Sequence, residues 1–479
     1  MTTTLPFFLS KPKSIHLPVH LVSEKNFDSW VKKQAAALKN AITQSGFGPK
    51  GKQTLILQDK NGTVEKIYTA VSTPVDIYDL SKTVTDIKKY FSSDFLKNAS
   101  FELQAAGTLT ESEMERAHIG WGLTCYVFDR YKNSSATFPA LVIAKDSDKK
   151  RIEAFVQAVH MIRDLVNTPA NDFGPEELEK AAQDFSKKHK TTFSVIRDKE
   201  LLKQNFPMIY NVGKASPRRP RLIDLRWGNE KHPKVTLVGK GVCFDTGGLD
   251  IKPSEFMITM KKDMGGAAHV LALAHLVITQ KLPINLRVLI PTVENSISGE
   301  AYRASDVLPT RKGLTVEIGN TDAEGRLILS DALTLACEEK PELIIDFATL
   351  TGAARVALGY DLPALFTNND DLGDEIKKLS ATPDVCDPVW PLPLWKPYRK
   401  DMDSNIADIS STGKGKAGAT TAALYLNEFI EGNIDWVHMD VFSWSQTAKP
   451  GRPQGGADTG MRAIFGYLEK RYGKTKKKA

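Results

Sequence analysis

The sequence is short of cysteine. Its four cysteines (Cys125, Cys243, Cys337, Cys386) are scattered through 479 residues and form no CxxC pair. That excludes a disulfide framework and points to reduced thiols in a cytoplasmic setting. No apolar run approaches the ~20 residues of a membrane span. The N-terminal "LPFFL" is too short for a signal-peptide core, so no membrane partner is expected. No histidine precedes a glutamate, which removes the HExxH zinc helix. GxSxG elbows and GxxxxGK[ST] phosphate loops are missing as well. One dinucleotide-type pattern occurs, "GKGKAG" at Gly413 to Gly418. The polar "NIADISST" before it is not a buried strand, and the required context fails.

A strong charge of one sign is also lacking. The formal net charge is +7, but "EKRYGKTKKKA" from Glu469 onward sets six Lys/Arg against one Glu and accounts for five of those charges. A frayed, solvated tail is the plain reading. Non-specific contact with nucleic acid is the alternative.

What remains is a soluble globular composition, 41% hydrophobic and 25% charged, in a chain too long for one ordinary domain. Residues 1–145 alternate short apolar runs ("TLILQ", "FPALVIA") with amphipathic stretches and read as a small N-terminal α/β domain without a catalytic constellation. In "SDKKRIEAFVQAVHMIRDLVNTP", Ile152, Phe155, Val156, Val159, Ile162 and Val166 share one helical face, and "NTP" ends it. This predicts a connecting helix over 146–169. Residues 170–479 form a larger C-terminal domain. There "VTLVGKGVCF", "NLRVLIPTV", "ELIIDFATL" and "IDWVHMDVF" alternate with helical runs such as "GGAAHVLALAHLVIT". Continuous apolar runs separated by helices predict a mostly parallel, mixed sheet flanked by helices.

Acidic residues cluster where these runs end: "GKGVCFDTGG", "KKDMGG" and "NTDAEGRL". Asp322 and Glu324, one residue apart with no cation between, could be a solvated helix start, an acid/base pair or a metal site. Strand ends on one edge of a parallel sheet converge on a shared crevice, which would gather Asp245, Asp263, Asp322 and Glu324. Four buried carboxylates cannot stay ionised together without cations. Two divalent ions would balance them, as in a two-metal hydrolase. Taken together, the clusters favour metal.

"NTDAEGRL" resembles the signature of the cytosol leucyl aminopeptidase family. "RDLVNTPAN", "VGKGVCFDTGGLDIKP", "MKKDMGGAA", "DFATLTGA", "AGATTAALYL" and "DWVHMD" follow that family's order across roughly residues 163 to 462. The resemblance implies an aminopeptidase acting on peptides through two divalent ions per subunit, zinc or manganese, with magnesium or cobalt also admitted by such donors. By the same resemblance Lys240, Asp245, Asp263 and Glu324 hold the tight ion. Asp245, Asp322 and Glu324 hold the exchangeable one, with the Asp322 carbonyl as a further ligand. Lys252 is a catalytic cation, and Arg326 positions a bicarbonate. Met260, Asn320, Thr349, Leu350 and Gly352 are the implied substrate contacts, and a homohexamer is the implied assembly.

Two stretches depart from the family pattern. "YRASDV" stands where Arg-Pro-Gly-Asp is usual, and "HMDVFSWS" puts Phe442 and Trp444 where smaller residues are usual. If these rings reach the pocket for the first residue, a leucine preference does not follow. His269, His275 and His438 belong to no ligand set and are expected to be structural.

Overall fold

The computed structural model describes residues 5–132, 136–143 and 145–473. The chain forms two compact units. The first runs to His160 and takes in Thr382–Cys386 and Thr447–Gln454; the second holds the remainder. In the first unit a six-stranded sheet has the order Phe8–Leu9, Ala140–Val142, Ala99–Ala105, Ile15–Ser23, Val64–Val71, Thr54–Gln58. All its pairings are parallel except the last. Helix Glu111–Thr124 opens with a reciprocal cap in which Thr110 and Glu113 satisfy each other's backbone amides, and it buries Trp121. The later segment belongs to this unit through Arg116. Its buried guanidinium donates to the Val75 carbonyl at 2.7 Å and to Asp384 at 2.7 Å. Helix α1, Asp146–Asn167, carries the chain from the first unit into the second.

The second unit is built on a nine-stranded mixed sheet. Its strands are β1 (Thr192–Arg197), β2 (Arg221–Trp227), β3 (Lys234–Gly239), β4 (Gly241–Asp245), β5 (Asn285–Asn295), β6 (Leu343–Ala348), β7 (Ala364–Thr367), β8 (Trp390–Pro391) and β9 (Asp435–Asp440). The order is β8-β7-β9-β6-β3-β5-β2-β1, with β4 also on β5. The centre, β9-β6-β3-β5, is parallel, and antiparallel pairs occur toward either side. β6 is buried along its whole length, as expected for a strand covered on both faces. Its one acid, Asp346, accepts from the Trp436 indole at 2.7 Å and from His438 at 2.5 Å, so the buried carboxylate is paired.

Helix α2, Gly265–Thr279, is apolar nearly all round and buried at every position but its last. Helix α3, Glu324–Glu338, likewise buries most of its surface, and it starts on one of the acids at issue.

The run "VTLVGKGVCF" divides at Lys240. β3 pairs with Asn285–Leu289 of β5 and β4 with the same strand from Thr292 onward. Lys240 sits in the break, its amide donating to the Phe347 carbonyl at 3.0 Å and its carbonyl accepting from Ala267 at 2.9 Å. The segment Ile409–Ser410, too polar to read as a strand, makes a short parallel pairing with Val316–Glu317.

Candidate active site

The break in the sheet aims the Lys240 side chain into a buried cluster. Its ammonium lies 2.8 Å from Asp263 and 2.8 Å from Glu324, and it donates to the Thr349 carbonyl at 3.0 Å. Asp263 comes from the 3-10 turn Met260–Met264 that leads into α2, and Glu324 is the first residue of α3. Close approach here requires glycine. A β-carbon on Gly325 would stand 2.5 Å from the Lys240 Cε, and one on Gly266 would collide with the Phe347 carbonyl oxygen.

Beside this group Lys252 lies 2.8 Å from Asp245 and pairs with Asp322. Asp245 ends β4, where Asn295 donates to it at 2.8 Å. Asp322 follows Asn320, whose carboxamide oxygen accepts the Asp322 amide at 2.7 Å and fixes the turn. Asp245, Asp322 and Glu324 each present an oxygen within 4.8 Å of the others'. Six of the anticipated residues (Lys240, Asp245, Lys252, Asp263, Asp322, Glu324) thus meet in one place. Thr349 joins them, its hydroxyl donating to Asp263 at 2.6 Å.

Electrostatics mark the centre as short of cations. Burial, and then the charge of Asp245, pushes Glu324 up to about 8, and the same two causes push Asp322 up to about 6. Burial also opposes the charge of Asp263, but Lys240, Lys262 and Lys252 hold that carboxyl below its usual range. Both lysines of the centre are held above the usual lysine range. Burial works against them, and the surrounding carboxylates outweigh it. The buried oxygens of Asp263 and Glu324 that face Lys240 have its single ammonium as their shared ion-pair partner. An oxygen-rich donor set with one amine, three of its carboxylates converging within 4.8 Å, fits divalent cations.

The other anticipated residues lie around this centre. Arg326 is buried on α3 and donates to the Ser411 carbonyl at 2.6 Å. Its Nε has no partner, and no carboxylate lies in ion-pair range among the described residues. Leu350 spends its amide on Asp440 at 3.0 Å, so that group is already engaged. Gly352 begins helix Gly352–Leu358 with nothing within 4 Å of where a side chain would stand. Met260 opens the turn that carries Asp263 and is half-buried. Asn320 is exposed. The three histidines have structural partners: Gly265 for His269, His189 for His275 and Asp346 for His438.

Several residues were not anticipated. Asn295 also donates to the Thr321 carbonyl at 3.0 Å and so ties Asp245 to the Asp322 turn. Asp440 accepts from the Leu350 amide and the Thr351 hydroxyl and shapes the loop after β6. Lys262 is fully buried, and burial pulls its ammonium down to about 7 against the pull of Asp263. The available signal was a second lysine in "MKKDMGG" beside an apolar helix.

A buried carboxylate–lysine centre in a larger α/β unit suits a hydrolase of the metal-assisted class. Residues 160–465 match the catalytic domain of the cytosol aminopeptidase family, and residues 17–144 match the M17 aminopeptidase N-terminal domain. The chain is 39% identical over 362 residues to a probable cytosol aminopeptidase of Chlamydia abortus, covering 72% of each protein. The crystal structure of a cytosol aminopeptidase from Coxiella burnetii superposes with a TM-score of 0.89 at 42% identity, covering 97% of this chain and 99% of that one. The bottromycin maturation enzyme BotP, solved in complex with Mn, superposes with a TM-score of 0.83 at 26% identity, covering 95% and 99%. The chain belongs to the cytosol aminopeptidase family and is an aminopeptidase of that family. No helix among the described residues is long and apolar enough to cross a membrane. The basic tail offered as a nucleic-acid contact lies, from residue 474 on, outside the described residues.

Proposed function

We propose that the enzyme is a two-metal exopeptidase that removes single residues from the free N-termini of peptides. The observation that carries this reading is the meeting of Lys240, Asp263 and Glu324 with Lys252, Asp245 and Asp322 in one partly buried centre. Lys240, Asp245, Asp263 and Glu324 would hold a tight divalent ion, and Asp245, Glu324 and Asp322, the last with both carboxylate and carbonyl, an exchangeable one. Two such ions would supply a water acidic enough to attack at neutral pH and an anchor for the substrate's α-amine. Zinc or manganese suits these donors, magnesium and cobalt are admitted, and the manganese complex of BotP favours manganese.

The chain's own residues do the rest. Lys252 stays an ammonium and faces the charge that develops on the scissile carbonyl oxygen, a role worth on the order of 10²–10³ in rate. Arg326, with an unpaired Nε and no carboxylate neighbour among the described residues, holds a small anion. Bicarbonate there would accept the proton of the attacking water. Thr349 keeps Asp263 oriented, and the Thr349–Gly352 loop and Met260 border the peptide. We assign a homohexameric assembly, as the family resemblance implies, and a cytoplasmic location, in keeping with the family's description as cytosol aminopeptidases. A leucine-type preference is what the family resemblance implies for the first residue.

The test is to block the amine. A metal-loaded preparation should cleave a free peptide and leave its N-acetylated form intact. Equal turnover of the two would contradict the exopeptidase reading.

A further inference from the structure

Three segments that build the centre each place one more residue just beyond it. Lys262 precedes Asp263. Phe442 precedes Ser443, which packs so closely on Gly265 that a β-carbon there would clash with its side chain and touch Thr349 at 3.3 Å. Arg355 lies on the helix that starts at Gly352. These side chains converge: the Lys262 ammonium sits 4.8 Å and the Arg355 guanidinium 5.2 Å from the centre of the Phe442 ring, and Tyr360 packs on that ring at 4.6 Å.

The cations are incompletely matched. Lys262 is 1% exposed, yet among the described residues no hydrogen-bond acceptor or carboxylate reaches its ammonium. Arg355 approaches Asp440 only to 3.7 Å, and its buried Nη1 has no hydrogen-bond partner. Asp440 is itself committed to Leu350 and Thr351. An unpaired buried cation is costly, and one face of an aromatic ring offsets only part of that cost. Meanwhile the space in front of Gly352 is open.

Resting on the aminopeptidase reading above, we propose that Lys262 and Arg355, braced on Phe442, receive the side chain of the substrate's first residue and select a carboxylate, so that N-terminal glutamate and aspartate are preferred over leucine. A side-chain carboxylate gives Lys262 the partner the fold withholds and pairs with the guanidinium of Arg355. Phe442 takes up the room a branched apolar side chain would need. A basic first residue would meet like charge, which disfavours it further.

The experiment is a kinetic comparison of Glu-Gly, Asp-Gly, Leu-Gly, Ala-Gly and Lys-Gly on the metal-loaded full-length enzyme. Wild type should show kcat/KM for Glu-Gly or Asp-Gly at least about tenfold above Leu-Gly, with Lys-Gly lowest. Lys262→Met, which keeps the buried stem, and Arg355→Met should each lower the Glu-to-Leu ratio by about tenfold or more, mainly through KM for Glu-Gly. If Lys262→Met does not fold, Arg355→Met and the wild-type ranking carry the test. Faster cleavage of Leu-Gly by wild type, or equal loss on every dipeptide in the variants, overturns the proposal and leaves the aminopeptidase reading standing. Failure to cleave any of the five removes both.

Discussion

At the scale of single residues, the two lysines of the centre differ in what surrounds them. Lys240 is held between Asp263 and Glu324 in the interior, whereas Lys252 lies nearer the surface between Asp245 and the half-exposed Asp322. In the proposed role of metal ligand Lys240 would have to give up its proton, which two neighbouring dications would favour; Lys252 would keep its own. Lys240→Ala should therefore lose metal on dialysis and recover only partly when metal is added. Lys252→Ala should retain metal and bind substrate with similar affinity while kcat falls about 10²–10³-fold. Elemental analysis beside steady-state kinetics separates the two. The acids of the centre were legible in the sequence because glycines flank them at the ends of apolar runs. Asn295, Asp440 and Arg355 were not. Each is a lone polar residue whose importance comes from what a distant segment brings to it, as when Asn295 links Asp245 to Thr321.

At the scale of elements, the apolar runs announced the parallel strands, and the all-round apolar "GGAAHVLALAHLVIT" became a buried helix. The division of "VTLVGKGVCF" into β3 and β4 was hidden. No proline or turn pair marks it, and the break follows from β5 offering its two halves to successive strands. Glycines on the facing helices make room for the lysine that the break releases, and their substitutions should fail in different ways. Gly266→Ala drives a methyl group into the Phe347 carbonyl, which is backbone and cannot yield, so thermal unfolding should show a loss of about 1–3 kcal/mol. In Gly325→Ala the atoms nearest the new methyl group all belong to the flexible end of Lys240. That variant should keep nearly wild-type stability but bind metal poorly and turn over slowly.

At the scale of the whole molecule, a small α/β unit and a larger one with a mixed sheet were both readable from the rhythm of apolar runs. The two later segments that complete the first unit were not readable, since neither Thr382–Cys386 nor Thr447–Gln454 has the pattern of a strand or helix. Global stability should depend on acid through a pair of histidines. His275 and His189 share a hydrogen bond at 3.0 Å that requires one nitrogen to be a bare acceptor. Burial and then Lys188 lower His189 from 6.5 to about 4. A depressed histidine binds fewer protons folded than unfolded, so its contribution is intact above pH 6.5 and is lost as pH falls toward 4. Partial exposure screens the effect to at most about 2 kcal/mol. Denaturant titrations across that window should show the loss, and His189→Gln should flatten it. The first unit's return segments also bear on synthesis. A nascent chain emerges from its N-terminus, and Arg116 is made 268 residues before the Asp384 that neutralises it. Until the ribosome has passed that aspartate, the unit made first holds a guanidinium without its counterion. Its completion must wait for a chain that is already mostly built, so the order of manufacture is not the order of maturation.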